Sequence, residues 1–297
     1  MKTKRWLIAC LCLLASTMAF SQQTMPPEYS SVLSTLGRQG DFKDGVLKVN
    51  IPRSDLKVVV DGIATPTPFG FGGWIALTKG TGMDVMMGDL VLTEEEVNPV
   101  MSAVLDAGLD VTAVHNHFFY ETPRIFYMHV HGHGSPADLA NKIKPALALI
   151  GKNPPRNASG TAGRSLDGKL DTVQLAKIIG HEGEQNGGVY KITIGRPDIA
   201  IKEMGAAINA RMGLNTWAAF YGSDSEAVVA GDVAMVDGEV TPVLKALRTN
   251  GLDVVAIHHH MIGTQPAVLF LHYWGKGDAQ KLARGVKAAV DATGKRG

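Results

Sequence analysis

Nine of the ten histidines fall in two short stretches, residues 115–133 and 258–272. The first reads His115-Asn116-His117 and, a dozen residues on, His129-Val130-His131-Gly132-His133; the second reads His258-His259-His260 and then His272. On a strand, residues two apart share a face, and residues directly opposed on an antiparallel pair have Cβ atoms about 4.5–5.5 Å apart. A hairpin turning at Glu121 to Arg124, in the register that opposes His115 with His131 and His117 with His129, predicts four convergent imidazoles. The second stretch repeats the construction with His258, His260 and His272, while Trp274 stands in the place of His131. Three or four neutral imidazoles are what Zn²⁺, Cu²⁺, Ni²⁺ or Fe²⁺ asks for, and a three-histidine set leaves a position for water or substrate. Packed together without a metal, the same rings strand donors and acceptors and repel one another when protonated. A lone strand histidine carries no such argument, so His133, His181 and His259 read as ordinary half-buried polar residues. Zinc or copper is the expected cofactor.

Other chemistry is weaker. Glu121 completes a His-x-His-x3-Glu arrangement with His117, but Thr264 occupies the aligned place in the second stretch. It reads as a turn residue, and as the carboxylate best placed for general-base work in the first. Met83, Met86, Met87 and Met128 read as core filling rather than copper ligands. The run Phe69-Gly70-Phe71-Gly72-Gly73 lacks the spacing and following lysine of a phosphate loop. Neither a Gly-x-Ser-x-Gly elbow nor a His-Glu-x-x-His metalloprotease motif is present, so no catalytic residue is assigned.

The elements that must position the histidines come in two copies. Displacing the chain by 143 residues without a gap lays Arg53 on Arg196, Trp74 on Trp217, Gly88-Asp89 on Gly231-Asp232 and Gly108-Leu109-Asp110-Val111 on Gly251-Leu252-Asp253-Val254. The same offset lays His115, His117 and His129 on His258, His260 and His272, and Pro123 on Pro266. Such agreement among rare residue types marks two copies of one module, residues 33–149 and 176–292. Residues 150–175 read as a linker, because Gly151 to Asp171 is rich in Pro, Gly and small polar residues. Two equal copies commonly pack about a pseudo-two-fold axis.

Within the first copy, Val46–Ile51, Leu56–Val60, Trp74–Leu77 and Met83–Leu92 read as strands. Thr93 followed three residues later by Glu96 is a helix-start signature, and Val97, Val100, Met101, Val104 and Leu105 recur at helical spacing until Gly108. Leu109–Phe119 and Ile125–His133 read as strands, and Ser135-Pro136 opens a second helix. The pattern predicts an α+β fold: two tandem modules, each a mainly antiparallel sheet with helices on one face, a ferredoxin-like core being the nearest common topology.

A chain of 297 residues with 45% hydrophobic and 19% charged residues is globular, and a net charge of +1 argues against a nucleic-acid partner. Lys2, Lys4 and Arg5 precede the apolar run Trp6–Phe20, and Ala19-Phe20-Ser21 offers small residues for a signal peptidase. Residues 1–21 therefore read as a secretory signal, whose loss takes the net charge to −2 and removes Cys10 and Cys12. Leu7-Ile8-Ala9-Cys10 also looks like a lipobox, but it leaves only about four apolar residues before the cysteine, against the usual roughly 7–15. The expected location is periplasmic or secreted. No other run is long enough for a membrane span.

The apolar leader, the tandem module and the motif Gly-Leu-Asp-Val-x-Ala-[Val/Ile]-His-x-His, followed by Pro123 or Pro266 and a strand bearing His129 or His272, resemble the LppY/LpqO family of bacterial envelope proteins. The resemblance spans nearly the whole mature chain. It implies export and a shared fold but no reaction, and the family's founding members are lipoproteins. The expected function is metal binding by the paired clusters, for sequestration or delivery. The alternatives are a metal-dependent hydrolase or oxidoreductase acting on a small molecule, and a two-lobed module that binds an organic ligand through Trp74 and Trp217.

Overall fold

The computed structural model describes residues 24–152, 155 and 162–294. The leader, with Cys10 and Cys12, lies outside the described residues, as does part of the linker. In the first module α1 (Pro27–Leu36) precedes β1 (Asp41–Lys43), β2 (Val46–Pro52), β3 (Val58–Val60), β4 (Ile63–Thr65), β5 (Gly72–Lys79) and β6 (Asp84–Thr93). There follow α2 (Glu94–Asp106), β7 (Asp110–His115), β8 (Glu121–Thr122), β9 (Ile125–Gly134) and α3 (Pro136–Leu149). The second module repeats them as α4 (Thr172–Ile179), β10 (Gly183–Asn186), β11 (Val189–Gly195), β12 (Ile201–Glu203), β13 (Ala206–Ile208), β14 (Asn215–Gly222) and β15 (Ala227–Val236). It closes with α5 (Asp237–Thr249), β16 (Asp253–His259), β17 (Val268–Gly277) and α6 (Ala279–Val290).

Each module is an antiparallel six-stranded sheet, in the orders β1-β2-β5-β6-β9-β7 and β10-β11-β14-β15-β17-β16. The chain is thus two tandem, mainly antiparallel α+β modules. Strand alternation assigns the two faces. Leu47, Val49, Leu77, Met86, Leu90, Met128 and Val130 point to one side of the first sheet, where Val32, Val100, Val104, Leu139 and Ile143 of the helices cover them. Val46, Ala76, Val85 and Met87 point to the other side and pack on Ile201, Ile208, Met212, Ala234 and Phe270 of the second module. A second shared core joins Phe69, Phe71, Phe118 and Tyr127 to Ala219, Val228 and Trp274. The layers therefore run helices, sheet, sheet, helices. Because β6 and β15 are buried on both faces, they read as continuous apolar runs rather than alternating ones.

The helix start at Thr93 forms as its sequence suggests, with the Thr93 N–H donating to Glu96 Oε2 at 2.8 Å. Glu96 also holds the buried Arg53 guanidinium at 2.6 Å, and Arg196 with Glu239 repeats the arrangement in the second module. One sequence expectation fails. The strand predicted over Leu109–Phe119 stops at His115, and residues 121–122 leave the sheet to pair with β3. Hence β7 and β9 oppose His115 with Tyr127, and Ala113 with His129, not His115 with His131. The slip is an even number of residues, so His115 and His129 keep their face while losing the expected partners.

Candidate metal centre

His129 and His272 stand near the middles of β9 and β17, on the faces turned toward the other module. His115 ends β7, His258 lies at the end of β16, and His117 and His260 follow two residues further on. All six are at most 8% exposed. They converge across the interface, not within each module as the hairpin geometry predicted. His115 Nε2 lies 3.2 Å from His272 Nε2, and His258 Nε2 lies 3.2 Å from His129 Nε2. The His117 ring stacks 3.6 Å from that of His272, and the His260 ring 3.9 Å from that of His129. His115 and His258 stack on each other at 3.6 Å in the middle. Adding 143 to one partner of a pair and subtracting it from the other yields the second pair, which is the signature of a two-fold exchange rather than a repeat laid end to end.

Each half-centre therefore combines the His-x-His of one module with the strand histidine of the other. The ligand atoms of His115, His117 and His272 lie within 4.8 Å of one another; on the other side the set within that distance is His258, His129 and the central His115, with His260 joined to it through its ring contact with His129. His129 Nδ1 faces the Gly88 carbonyl at 3.3 Å and His272 Nδ1 the Gly231 carbonyl at 3.2 Å, which fixes the tautomer and aims Nε2 into the cluster. His117 lies flat on Tyr127 at 3.2 Å and His260 on Phe270 at 3.3 Å, so aromatic walls hold both rings. Both ring nitrogens of His117 and of His260, and Nδ1 of His115 and His258, have no hydrogen-bond partner.

Electrostatics keeps these rings neutral. Burial, reinforced by the neighbouring imidazoles, holds His115, His117 and His260 far below the ordinary histidine value, and His258 likewise. Burial brings His129 and His272 down to about 3 although the carbonyl contacts favour the charged form. Two aspartates that the sequence reading aligned but gave no role stand beside the rings. Asp89 pairs with His129 across β6 and β9, Asp232 with His272 across β15 and β17, and Asp232 Oδ2 is 3.8 Å from His260 Nε2. Burial pushes Asp89 up to about 7 and Asp232 well above the carboxylate range, where the Asp89 charge adds to the effect. Their exact superposition at offset 143, inside apolar strands, was the available signal.

A cavity of about 410 Å³ between the modules opens onto His117, His260 and His272. Trp74 and Trp217 wall it, with Lys48 Nζ 4.3 Å above the first indole and Lys191 Nζ 4.3 Å above the second. Burial and the Lys191 charge bring Lys48 down to about 8. The two tryptophans thus wall the cavity while packing against the cores shared by the modules.

His131 leaves the cluster and faces Glu203 of β12, together with His133. Trp274, its counterpart, packs edge-on against Phe69 and Phe118. Glu121 accepts from the Ile125 N–H at 3.4 Å but opens the short strand β8, opposite Val60, rather than sitting in a turn. His181 and His259 are exposed. Among the described residues no helix is long and apolar enough to cross a membrane.

The model of one family, described as Domain of Unknown Function (DUF1259), matches residues 30–149 and again 173–292. No curated protein matches the sequence. Among solved structures the chain is similar to the trimeric bacterial microcompartment shell protein PduB, at 15% identity over 86% of this chain and 90% of that one, with a TM-score of 0.22. It is also similar to EtuB from Clostridium kluyveri, at 9% identity over 85% and 88% of the chains, with a TM-score of 0.20. Likenesses this slight bear on neither fold nor function.

Proposed function

The chain belongs to that family, and we propose that it is an exported bacterial protein that binds zinc or copper between its two modules. His115, His117 and His272 would hold one ion, and His258, His260 and His129 a second. The observation that carries this reading is the pair of 3.2 Å Nε2 to Nε2 approaches between rings whose far nitrogens face backbone carbonyls. Imidazole nitrogens bound to one tetrahedral ion at about 2.0–2.1 Å stand about 3.3 Å apart, so the rings need move little to close on a metal. Export is supported by the leader and by the resemblance to the LppY/LpqO proteins. A ferredoxin-like core, proposed for each module, is supported by the split β-α-β unit β6-α2-β7 with β9 between its strands. The cavity favours a second reading, a metal-dependent hydrolase or oxidoreductase, since a three-histidine ion would keep a position open toward Trp74, Trp217 and the lysines.

Untagged mature protein, stripped of metal and titrated with Zn²⁺ and Cu²⁺ near neutral pH, is expected to bind two equivalents at these centres. His117→Ala and His272→Ala should empty the same centre, so that combining them removes no more than either alone. His272→Ala with His260→Ala should empty both. Absence of binding at micromolar metal overturns the reading; pairing of His272 with His260 instead overturns the exchange between modules.

A further inference from the structure

We propose a second, chemically distinct metal site, made of His131, His133 and Glu203 and independent of the six-histidine centre. The two histidines are two residues apart on β9 and so share the face turned toward the second module; Glu203 comes from that module, at the end of β12. His131 Nε2 lies 2.9 Å from Glu203 Oε1 and His133 Nε2 lies 3.3 Å from the same oxygen. The two rings meet edge to face with centroids 4.5 Å apart. Both imidazoles converge on that one carboxylate oxygen while the second, Oε2, has no hydrogen-bond partner, although both Nε2 atoms and Oε2 are buried and His131 as a whole is 5% exposed. One carboxylate oxygen cannot serve two buried imidazoles well while its neighbour goes unpaired, and two nitrogens and a carboxylate drawn to one point are what a cation would satisfy. Separations of 2.9 and 3.3 Å are those between neighbouring ligands around an ion bound at about 2.0–2.2 Å.

The other module provides the comparison. At offset 143 Trp274 replaces His131, Lys276 replaces His133 and Val60 replaces Glu203, and Lys276 Nζ sits 3.6 Å from Asp61. An ordinary ion pair and a packed indole meet the structural needs of that position. The first module has instead two imidazoles and a carboxylate, which packing alone does not require.

Two imidazoles and one carboxylate suit a borderline divalent ion such as Zn²⁺, Co²⁺ or Fe²⁺. His133 and Glu203 keep 23% and 16% of their side chains exposed, so water reaches the remaining coordination positions. The ligands come from both modules, so the ion would also clamp their interface.

The test is Zn²⁺ equilibrium dialysis and Co²⁺ visible absorption on the full mature chain, with Glu203→Gln, His133→Ala and, separately, His117→Ala. Glu203→Gln and His133→Ala are each expected to bind one equivalent fewer than wild type, to change the Co²⁺ spectrum in the same way and to retain the ions that His117→Ala diminishes. Wild-type stoichiometry and affinity in either variant overturns the site. A His117→Ala protein indistinguishable from wild type, beside Glu203→Gln lacking one equivalent, would reject the six-histidine centre and leave this one standing.

Discussion

Lowering the pH of metal-free protein from 7.5 to 5.5 challenges six histidines that are neutral in the native state. In the unfolded chain each binds a proton near pH 6.5. In the folded chain His129 and His272 bind one only near 3, and the other four are held well below the ordinary value. Below pH 6.5 the unfolded state therefore carries more protons, and stability is lost as the pH falls. Each such imidazole contributes about 1.4 kcal/mol per pH unit, so the six together cost about 8 kcal/mol by pH 5.5. Asp89 and Asp232 act in the opposite sense. Their folded values are raised, so the native state takes up protons before the unfolded state does, returning at most about 5 kcal/mol over the same interval. The expected net loss is at least about 3 kcal/mol between pH 7.5 and 5.5. It steepens to about 5 kcal/mol per unit below that, where six histidines oppose two aspartates, against a total stability of about 5–15 kcal/mol for a typical protein. Urea unfolding of chelator-treated protein, followed by tryptophan fluorescence at half-unit pH steps, measures the curve. His258→Phe should lower the slope below pH 6 by about one proton. An unfolding free energy that stays within about 1 kcal/mol from pH 7.5 to 5 would show that the rings are not held neutral, and the packed-imidazole account would fall.

Arg196→Met leaves the buried Glu239 carboxylate without its guanidinium and is expected to cost about 3–5 kcal/mol in guanidinium chloride unfolding; a loss under about 1 kcal/mol would mean that the backbone donors of Val236 and Gly294 suffice. Gly231→Ala drives a Cβ into Tyr273 Oη and the Trp217 carbonyl, so it should cost about 1–3 kcal/mol and weaken zinc binding through the His272 contact. Gly238→Ala, in open space on α5, should stabilise by up to about 1 kcal/mol, and similar thermal melts for the two alanine variants would contradict the packing at Gly231.

The sequence by itself determined the duplication, most strands, the helix begun at Thr93 and a set of seven candidate histidines, of which six converge and His131 does not. These are written in local periodicity and in a single offset of 143 residues, both of which survive without knowledge of contacts. It could not determine which histidines meet. An offset relates His129 to His272 equally well whether each joins its own module's His-x-His or the other's, and only the packing of the two sheet faces decides for the exchange. The end of β7 at His115 was hidden because Phe118 and Phe119 prolong a strand-like composition past His117, whereas Phe118 serves the shared core rather than the sheet. Asp89 and Asp232 were masked by strands buried on both faces, whose apolar runs give no sign that one face lines a polar cavity. Glu203 had no signal near His131 and His133, since 70 residues of chain separate it from the nearer of them. Ligand chemistry belongs to single side chains and is legible in order, whereas convergence depends on register and on the surface each sheet turns toward its copy, and those are settled only when both cores close.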